Sequence, residues 1–376
     1  MKYTISKHSE DFEEQIDQIA RLKTLNWGLD FEVFKSYVKW NYIERPHTKP
    51  PLIYFARAGD ETVAMAGLYE TTWQLKSAAA SFNALCIADL LIRQEYRGKG
   101  IYKQLTNYYK NDLDKMGVEY IFSFNPTPLT TAISLSTGWK SIAENNIMKK
   151  QFLKRGFDAI AFARKLAGPY AGKLLRRTGI GTILRRGQKD NSQRMDTIYH
   201  SGSTQLPDRI SLDDKPRPAE MALLVDSILP DNKITLVRDE SYFHWRYNNP
   251  LSKYLFLYCY DESMKGYLVL QSFIYSPESI GSHNIFELQA TDPSIKIELL
   301  NALISIVNSG SISIWASMLD KDIYDYLASQ GFKESDYTQT VMIWAINKHI
   351  HNMEFQGLNL ADEKNWDLQM IYMHDH

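Results

Sequence analysis

Arg97-Gly98-Lys99-Gly100 is the stretch of this sequence whose residue types and spacing suit it to hold a phosphate. Its two glycines remove Cβ atoms, so backbone N–H groups can converge on one anion. An apolar run, Ile87 to Ile92, precedes it. A helical pattern follows from Gly100 to about Met116, with Ile101, Leu105, Tyr108, Tyr109 and Leu113 near one face. A helix start adds unpaired N–H donors and the positive end of its dipole, and Arg97, Lys99 and Lys103 add cations. Gly-x-Gly alone is equally compatible with a plain turn. The Gly-x-Lys-Ser/Thr ending of nucleoside-triphosphate loops is absent, and Lys103 stands where a dinucleotide fold has its third glycine.

The elements that would position this loop occur twice. Trp40-Asn41-Tyr42 is echoed by Trp245-Arg246-Tyr247, and each precedes two apolar runs joined by a short polar turn, the pattern of a β-hairpin. Those runs are Leu52 to Ala58 with Thr62 to Leu68, and Tyr254 to Tyr260 with Met264 to Leu270. A strand (Ile87 to Ile92; Ile285 to Ala290), a helix and a second strand (Tyr120 to Phe124; Ile312 to Ala316) follow in both halves. Each half then closes on a short helix ending in Gly138-Trp139 or Gly331-Phe332, and the tail carries one further expected strand at Trp366 to Tyr372. The expected fold class is α/β (α+β), with two tandem copies, each a mixed, mostly antiparallel sheet flanked by helices. Residues 1–148 and 237–376 would be the copies and 149–236 a basic helical insert and linker. The second copy has Thr291-Asp292-Pro293-Ser294 where the first has its glycine loop, so phosphate binding is expected in the first alone.

The run Asp89-Leu90-Leu91-Ile92-Arg93-Gln94-Glu95-Tyr96-Arg97-Gly98-Lys99-Gly100-Ile101 resembles motif A of the GCN5-related N-acetyltransferases (GNAT). The resemblance continues through Tyr120 to Pro126 and on to Thr137-Gly138-Trp139, and Glu95 departs from the Gln/Arg of the family pattern. The arrangement of the whole chain is similar to tandem GNAT proteins with a degenerate second copy. This resemblance implies acetyl-coenzyme A as cofactor. Backbone at Leu90, Leu91 and Ile92 would pair with the pantetheine arm, and amides from Tyr96 through Ile101 (Tyr96, Arg97, Gly98, Lys99, Gly100, Ile101) would hold the pyrophosphate. Asn125 would contact the pantetheine arm.

Acetyl transfer to an amine requires a neutral amine, a stabilised thioester oxygen and a protonated leaving thiolate. Asp89 is the carboxylate on the strand before the loop and the candidate base, set against a reading as a strand-edge group bonded to backbone or lysine. The resemblance puts the acid, a tyrosine, four residues before Gly138, where this chain has Ser134. Trp27, Trp40 and Trp73 are candidate walls of an acceptor site, with core packing as the plainer reading.

Charge excludes little. Lys plus Arg number 43 and Asp plus Glu 44, so recognition must be local, and no nucleic acid partner is expected. Residues 149–194 hold 13 cations against two carboxylates, a bias suited to a solvated face, an anionic membrane surface or an anionic substrate. Cys86 and Cys259 read as buried small hydrophobes, and the polar N-terminus does not read as a signal peptide. A cytoplasmic protein, peripheral to the inner membrane face if the basic segment docks there, is the expectation. The reading is an acetyl-CoA-dependent N-acyltransferase acting on the amine of a small molecule such as an amino sugar or surface-polysaccharide precursor. Its alternatives are a CoA-binding scaffold without turnover and a transferase of another acyl group. Oligomeric state is not legible.

Overall fold

The structure is a computed structural model. It describes residues 3–8, 12–47, 51–124, 126–152, 206–273, 281–307, 310–346 and 353–372. The first copy runs β1 (Thr4–His8), α1 (Phe12–Trp27), α2 (Phe31–Tyr42), β2 (Leu52–Ala58), β3 (Glu61–Leu75) and β4 (Ala80–Ile92). It continues with α3 (Ile101–Lys115), β5 (Tyr120–Phe124), α4 (Pro128–Ser136) and β6 (Lys140–Phe152). The second runs β7 (Ile210–Asp213), α5 (Pro218–Ile228), β8 (Ile234–Leu236), α6 (Glu240–Arg246), β9 (Ser252–Asp261), β10 (Ser263–Phe273) and β11 (Ser282–Ala290). Then come α7 (Pro293–Ile306), β12 (Gly310–Trp315), α8 (Lys321–Ser329) and β13 (Lys333–Ala345). Both expected hairpins, β2–β3 and β9–β10, are antiparallel. β7 lies on β9 as β1 lies on β2, so elements that precede residue 237 pack with the second copy.

All these strands belong to one sheet, ordered β1-β2-β3-β4-β5-β13-β6-β12-β11-β10-β9-β7, with β8 on β3. The order shows a reciprocal exchange. β13, from the second copy, lies between β5 and β6 of the first. β6 in turn lies between β12 and β13 of the second. The side chains follow the strands. Met342 and Trp344 of β13 enter the core under α3, where Trp344 meets Trp139 at 5.4 Å, while Met148 of β6 enters the second copy's core. Neither copy closes its sheet with its own chain, and the exchange leaves no unpaired edge there of the kind that invites aggregation.

The Trp-x-Tyr echo has a structural explanation. Trp40 and Trp245 stack with ring centroids 4.8 Å apart and planes 9° from parallel. Each indole N–H donates to the other's backbone carbonyl at 2.7 Å. This two-fold-like contact buries Trp40 to 1% exposure. Trp73 is fully buried as well, edge-on to Trp366 and Tyr372 at 5.1 and 5.5 Å. Both rings are core, which corrects their expected place on an acceptor wall: a ring closed on both faces has none left for a ligand. The strand expected over Trp366 to Tyr372 does not form either. Trp366 makes one bridge to Ile234, and a 3-10 turn at Met370–Tyr372 wedges the tail between the copies.

Cys86 and Cys259 are buried free thiols. No described helix is long and apolar enough to cross a membrane, and no metal-binding cluster occurs among the described residues. His349, His351, His374, His376 and the basic segment beyond Phe152 lie outside the described residues.

Two outcomes follow from this packing. A chain cut between residues 153 and 205 should elute from gel filtration as one species and separate in denaturant, because the exchanged strands interlock without a covalent link. Two separately folded monomers would contradict the exchange. In the second copy, burial lowers the His283 imidazole from 6.5 to about 4, so the unfolded chain holds more protons between those values. Stability is therefore full above pH 6.5 and falls towards pH 4, by at most about 1.4 kcal/mol per unit. Denaturation midpoints should drop from about pH 7 to about pH 5 in the wild type and by less in His283→Gln; equal drops would exclude His283 as the cause.

Candidate functional site

β4 and β5 are parallel but pair only at Leu85–Ile121 and Cys86–Phe122. Past that point they diverge, and β4 runs on to Ile92 with no described neighbour on its β5 side. The gap is a 180 Å³ cleft lined by Asp89, Leu90 and Leu91 of β4, with Trp27, Tyr102, Phe124, Thr127, Ser134 and Trp139. Beyond Ile92, Gln94–Tyr96 form a 3-10 turn in which the Tyr96 and Arg97 N–H groups donate to the Arg93 and Gln94 carbonyls. These two amides are therefore not open to a pyrophosphate, against the expectation. The chain then passes through Gly98 (φ 74°) and Gly100 (φ 77°) into α3. Both glycines sit in the left-handed region, where side chains are strained. The space beside Gly98 is open, and an added Cβ would meet nothing within 4 Å. The requirement there is conformational, not steric.

Gly100 caps α3 without a side-chain acceptor, so the first N–H groups of the helix keep their capacity for an anion. The counterpart helix α7 is built differently. Asp292 caps it and accepts from Ser294 N–H at 2.7 Å, and the Ser294 hydroxyl, then this backbone bond, hold its carboxyl below the usual range. Here the protein supplies its own anion, and a phosphate would meet a carboxylate. This is the physical reason the copies differ.

Around the loop, Arg93 pairs with Glu61 and Glu95, and Tyr96 donates to Glu61 at 2.9 Å. Glu95, the departure from the family pattern, is thereby neutralised by Arg93. The Lys99 ammonium lies 5.1 Å from the Tyr96 ring. Arg97 donates to the Ile92 carbonyl and to Asn26 Oδ1, both at 3.1 Å. The Ile92 carbonyl is therefore already engaged, and Leu91 lies in hydrogen-bonded register with Met65 of β3, so the strand edge open to a ligand is Leu90 and the Ile92 N–H. Ile101 is buried in the core beneath α3. Asn125 lies outside the described residues.

Asp89 is buried. β4 bulges at Ala88: Leu68 pairs with Ile87, and Gly67 with Asp89. The extra residue reverses the parity of everything after it. Ile87 faces the core under α3, and Asp89 two residues later faces α1 and α2. Its Oδ1 accepts from Lys23 Nζ at 2.5 Å and its Oδ2 from Tyr42 at 2.7 Å. Lys23 also lies 4.7 and 4.5 Å from the Trp27 and Tyr37 rings. Of the three tryptophans expected on an acceptor wall, Trp27, 41% exposed, is the one that lines the cleft. Gly67 makes the Tyr42 contact possible, because a Cβ there would lie 2.0 Å from the Tyr42 hydroxyl.

Ser134 is buried at the cleft wall, and the Tyr102 hydroxyl, from the first turn of α3, lies 3.4 Å from its Oγ. A phenol therefore does reach this wall, from a different helix. Lys23 was missed in the sequence although a signal existed: it falls on the apolar stripe Ile16, Ile19, Ala20, Lys23, Trp27, where a cation is costly to bury unpaired.

The described residues thus form two copies of one α/β unit, one with an uncapped glycine loop beside a splayed strand pair and one with a self-capped helix. Residues 18–135 match the family model described as Acetyltransferase (GNAT) family. The fold is that of tandem GNAT structures. A tandem GNAT protein from the clavulanic acid biosynthesis pathway superposes with a TM-score of 0.55 at 12% identity, covering 92% of this chain and 99% of that one. A GCN5-related N-acetyltransferase from Anabaena variabilis gives 0.55 at 12% identity, over 92% and 73%. A probable N-acyltransferase from Enterococcus faecalis gives 0.54 at 11% identity, over 92% and 73%. No curated protein sequence matches the chain.

Two glycine substitutions should separate the two kinds of requirement. Gly67→Ala drives Tyr42 off Asp89 and should destabilise by about 2–4 kcal/mol. Gly98→Ala meets open space and should cost about 1–2 kcal/mol of backbone strain. Urea denaturation of both checks this, and equal losses would contradict it.

Proposed function

We propose that the first copy transfers an acetyl group from acetyl-CoA to the amine of a small molecule. The observation that carries this reading is the pairing of an uncapped α3 start with the splay of β4 from β5, in the copy whose counterpart helix is self-capped. The residues present fit the cofactor: amides from Gly98 through Ile101 and the Lys99 charge suit a pyrophosphate, and the edge formed by Leu90 and the Ile92 N–H suits an amide-bearing arm. Acetyl-CoA supplies the activated acyl group when bound. Backbone N–H groups at Leu90 and Ile92, which face away from β3, are the oxyanion donors in this reading, fixed in place before reaction. Tyr102, with Ser134 beside its hydroxyl, is the proton donor on the cleft wall, which supports turnover over a silent CoA-binding scaffold. An amino sugar or surface-polysaccharide precursor is the acceptor class we favour, and the basic residues from Lys149 onward would suit an anionic surface that presents it.

Calorimetry with CoA, then thiol release from acetyl-CoA against a panel of amines, tests this. The wild type should bind and turn over. Gly98→Val should weaken CoA by more than about tenfold through the strained loop, and Tyr102→Phe should spare CoA binding while slowing thiol release by roughly 100-fold. Binding without turnover on any amine would favour the scaffold, turnover with a longer acyl-CoA alone would favour another acyl group, and no CoA binding would exclude all three.

A further inference from the structure

The buried group around Asp89 occurs twice. In the second copy β11 bulges at Phe286, since Leu270 pairs with Ile285 and Val269 with Glu287. The acid again follows the extra residue and is turned by it onto the face that meets the other copy. Glu287 Oε2 accepts from Tyr247 at 2.6 Å, as Asp89 accepts from Tyr42, and both tyrosines belong to the repeated Trp-x-Tyr. Each acid also holds a buried cation at 2.5 Å: Lys23 of α1 in the first copy, Arg238 of the segment before α6 in the second. Side-chain exposures are 1% and 2% for Lys23 and Asp89, and 1% and 0% for Arg238 and Glu287. The cation comes from different elements, so the set of charges is maintained although the chain supplies it by different routes.

Length explains the remaining difference. Glu287 is one methylene longer than Asp89 and meets Tyr247 over Val269, with Tyr267 donating to its Oε1 at 2.9 Å. The shorter Asp89 needs the tyrosine pressed onto the sheet, and Gly67 opposite it clears that space.

The second copy has no glycine loop and caps its own helix, yet it keeps the acid, the tyrosine and the cation. Whatever the group does, it does without a phosphate loop beside it. Both oxygens of Asp89 are filled, and protonating it would strand the Lys23 charge in the core. We propose that Lys23, Tyr42 and Gly67 are positioning residues that clamp Asp89, and through it the bulged end of β4, and that Asp89 is the anchor of this clamp and not the proton acceptor. What the clamp holds is the Leu90–Ile92 edge, which has no described strand beyond it. In the second copy the same clamp holds β11 against the tail, where Arg238 also faces Asp367 at 3.9 Å.

This inference rests on the acyltransferase reading for its consequence but not for its test. Tyr42→Phe removes one hydroxyl and keeps the ring; the double variant Lys23→Met with Asp89→Asn removes both charges together, which protects folding. Both should speed hydrogen exchange at the Leu91 and Arg93 amides, which donate to β3, and raise the Kd for CoA about 3- to 10-fold. Tyr247→Phe should leave that exchange and that Kd unchanged. In Asp89→Asn the pH dependence of kcat/KM should keep its wild-type shape. The proposal is overturned if Asp89→Asn keeps wild-type exchange and CoA affinity but loses about 100-fold or more in turnover along with the acid limb of the profile, the signature of a general base. If the wild type binds no CoA, the acyltransferase reading fails, and the exchange comparison between Tyr42→Phe and Tyr247→Phe still decides whether the clamp exists.

Discussion

The exchange of β6 and β13 is the constraint on which the rest of the molecule depends. A strand inserted between β5 and β6 has to bring its own side chains into a core built by the other half of the chain, and Met342 and Trp344 do so. Because the exchange runs both ways, neither half has a closed sheet to fold into by itself. The stacked Trp40–Trp245 pair, with its reciprocal indole-to-carbonyl bonds, closes the contact near the pseudo-two-fold relation between the copies. The tail from Trp366 to Tyr372 then fills the remaining crevice against Trp73.

Within that frame the cleft is made by omission. β4 loses its parallel neighbour after Cys86, and the edge beyond it is stable because its own side chains are fixed from both faces. Leu90 and Ile92 anchor into the core under α3, and Asp89 and Leu91 towards α1 and α2. A strand edge left without a partner is ordinarily a liability. Here it is flanked by a bulge and a buried ion pair.

The two copies amount to an internal control. They share topology, bulge, acid and tyrosine, and they part at the start of one helix. Gly100 leaves α3 uncapped, while Asp292 closes α7 with a carboxylate. Burial pushes the Glu287 carboxyl up against the pull of Arg238, Tyr247 and Tyr267, a cost the second copy bears with no glycine loop nearby. Features common to both copies therefore belong to architecture, and features of one belong to chemistry.

By itself the sequence determined what is local. Alternation, helical spacing and glycine placement are short-range properties, so the hairpins, α3, the loop at Gly98 and Gly100, and the duplication itself were legible from Trp-x-Tyr onward. Contacts between distant residues were not. Nothing near Trp40 or Trp73 in the chain reveals that both rings are sealed by partners from the other half or the tail. The facing of Asp89 was hidden for a related reason: one extra residue at Ala88 reverses which side of the strand it takes, and a bulge is set by pairing with β3, not by β4 alone. The phenol beside Ser134 comes from Tyr102, 32 residues earlier, because the packing of α3 on the sheet brings the two helices together. Tertiary structure decided which strand completes which sheet, for the physical reason that backbone hydrogen bonds carry no record of which copy supplied them.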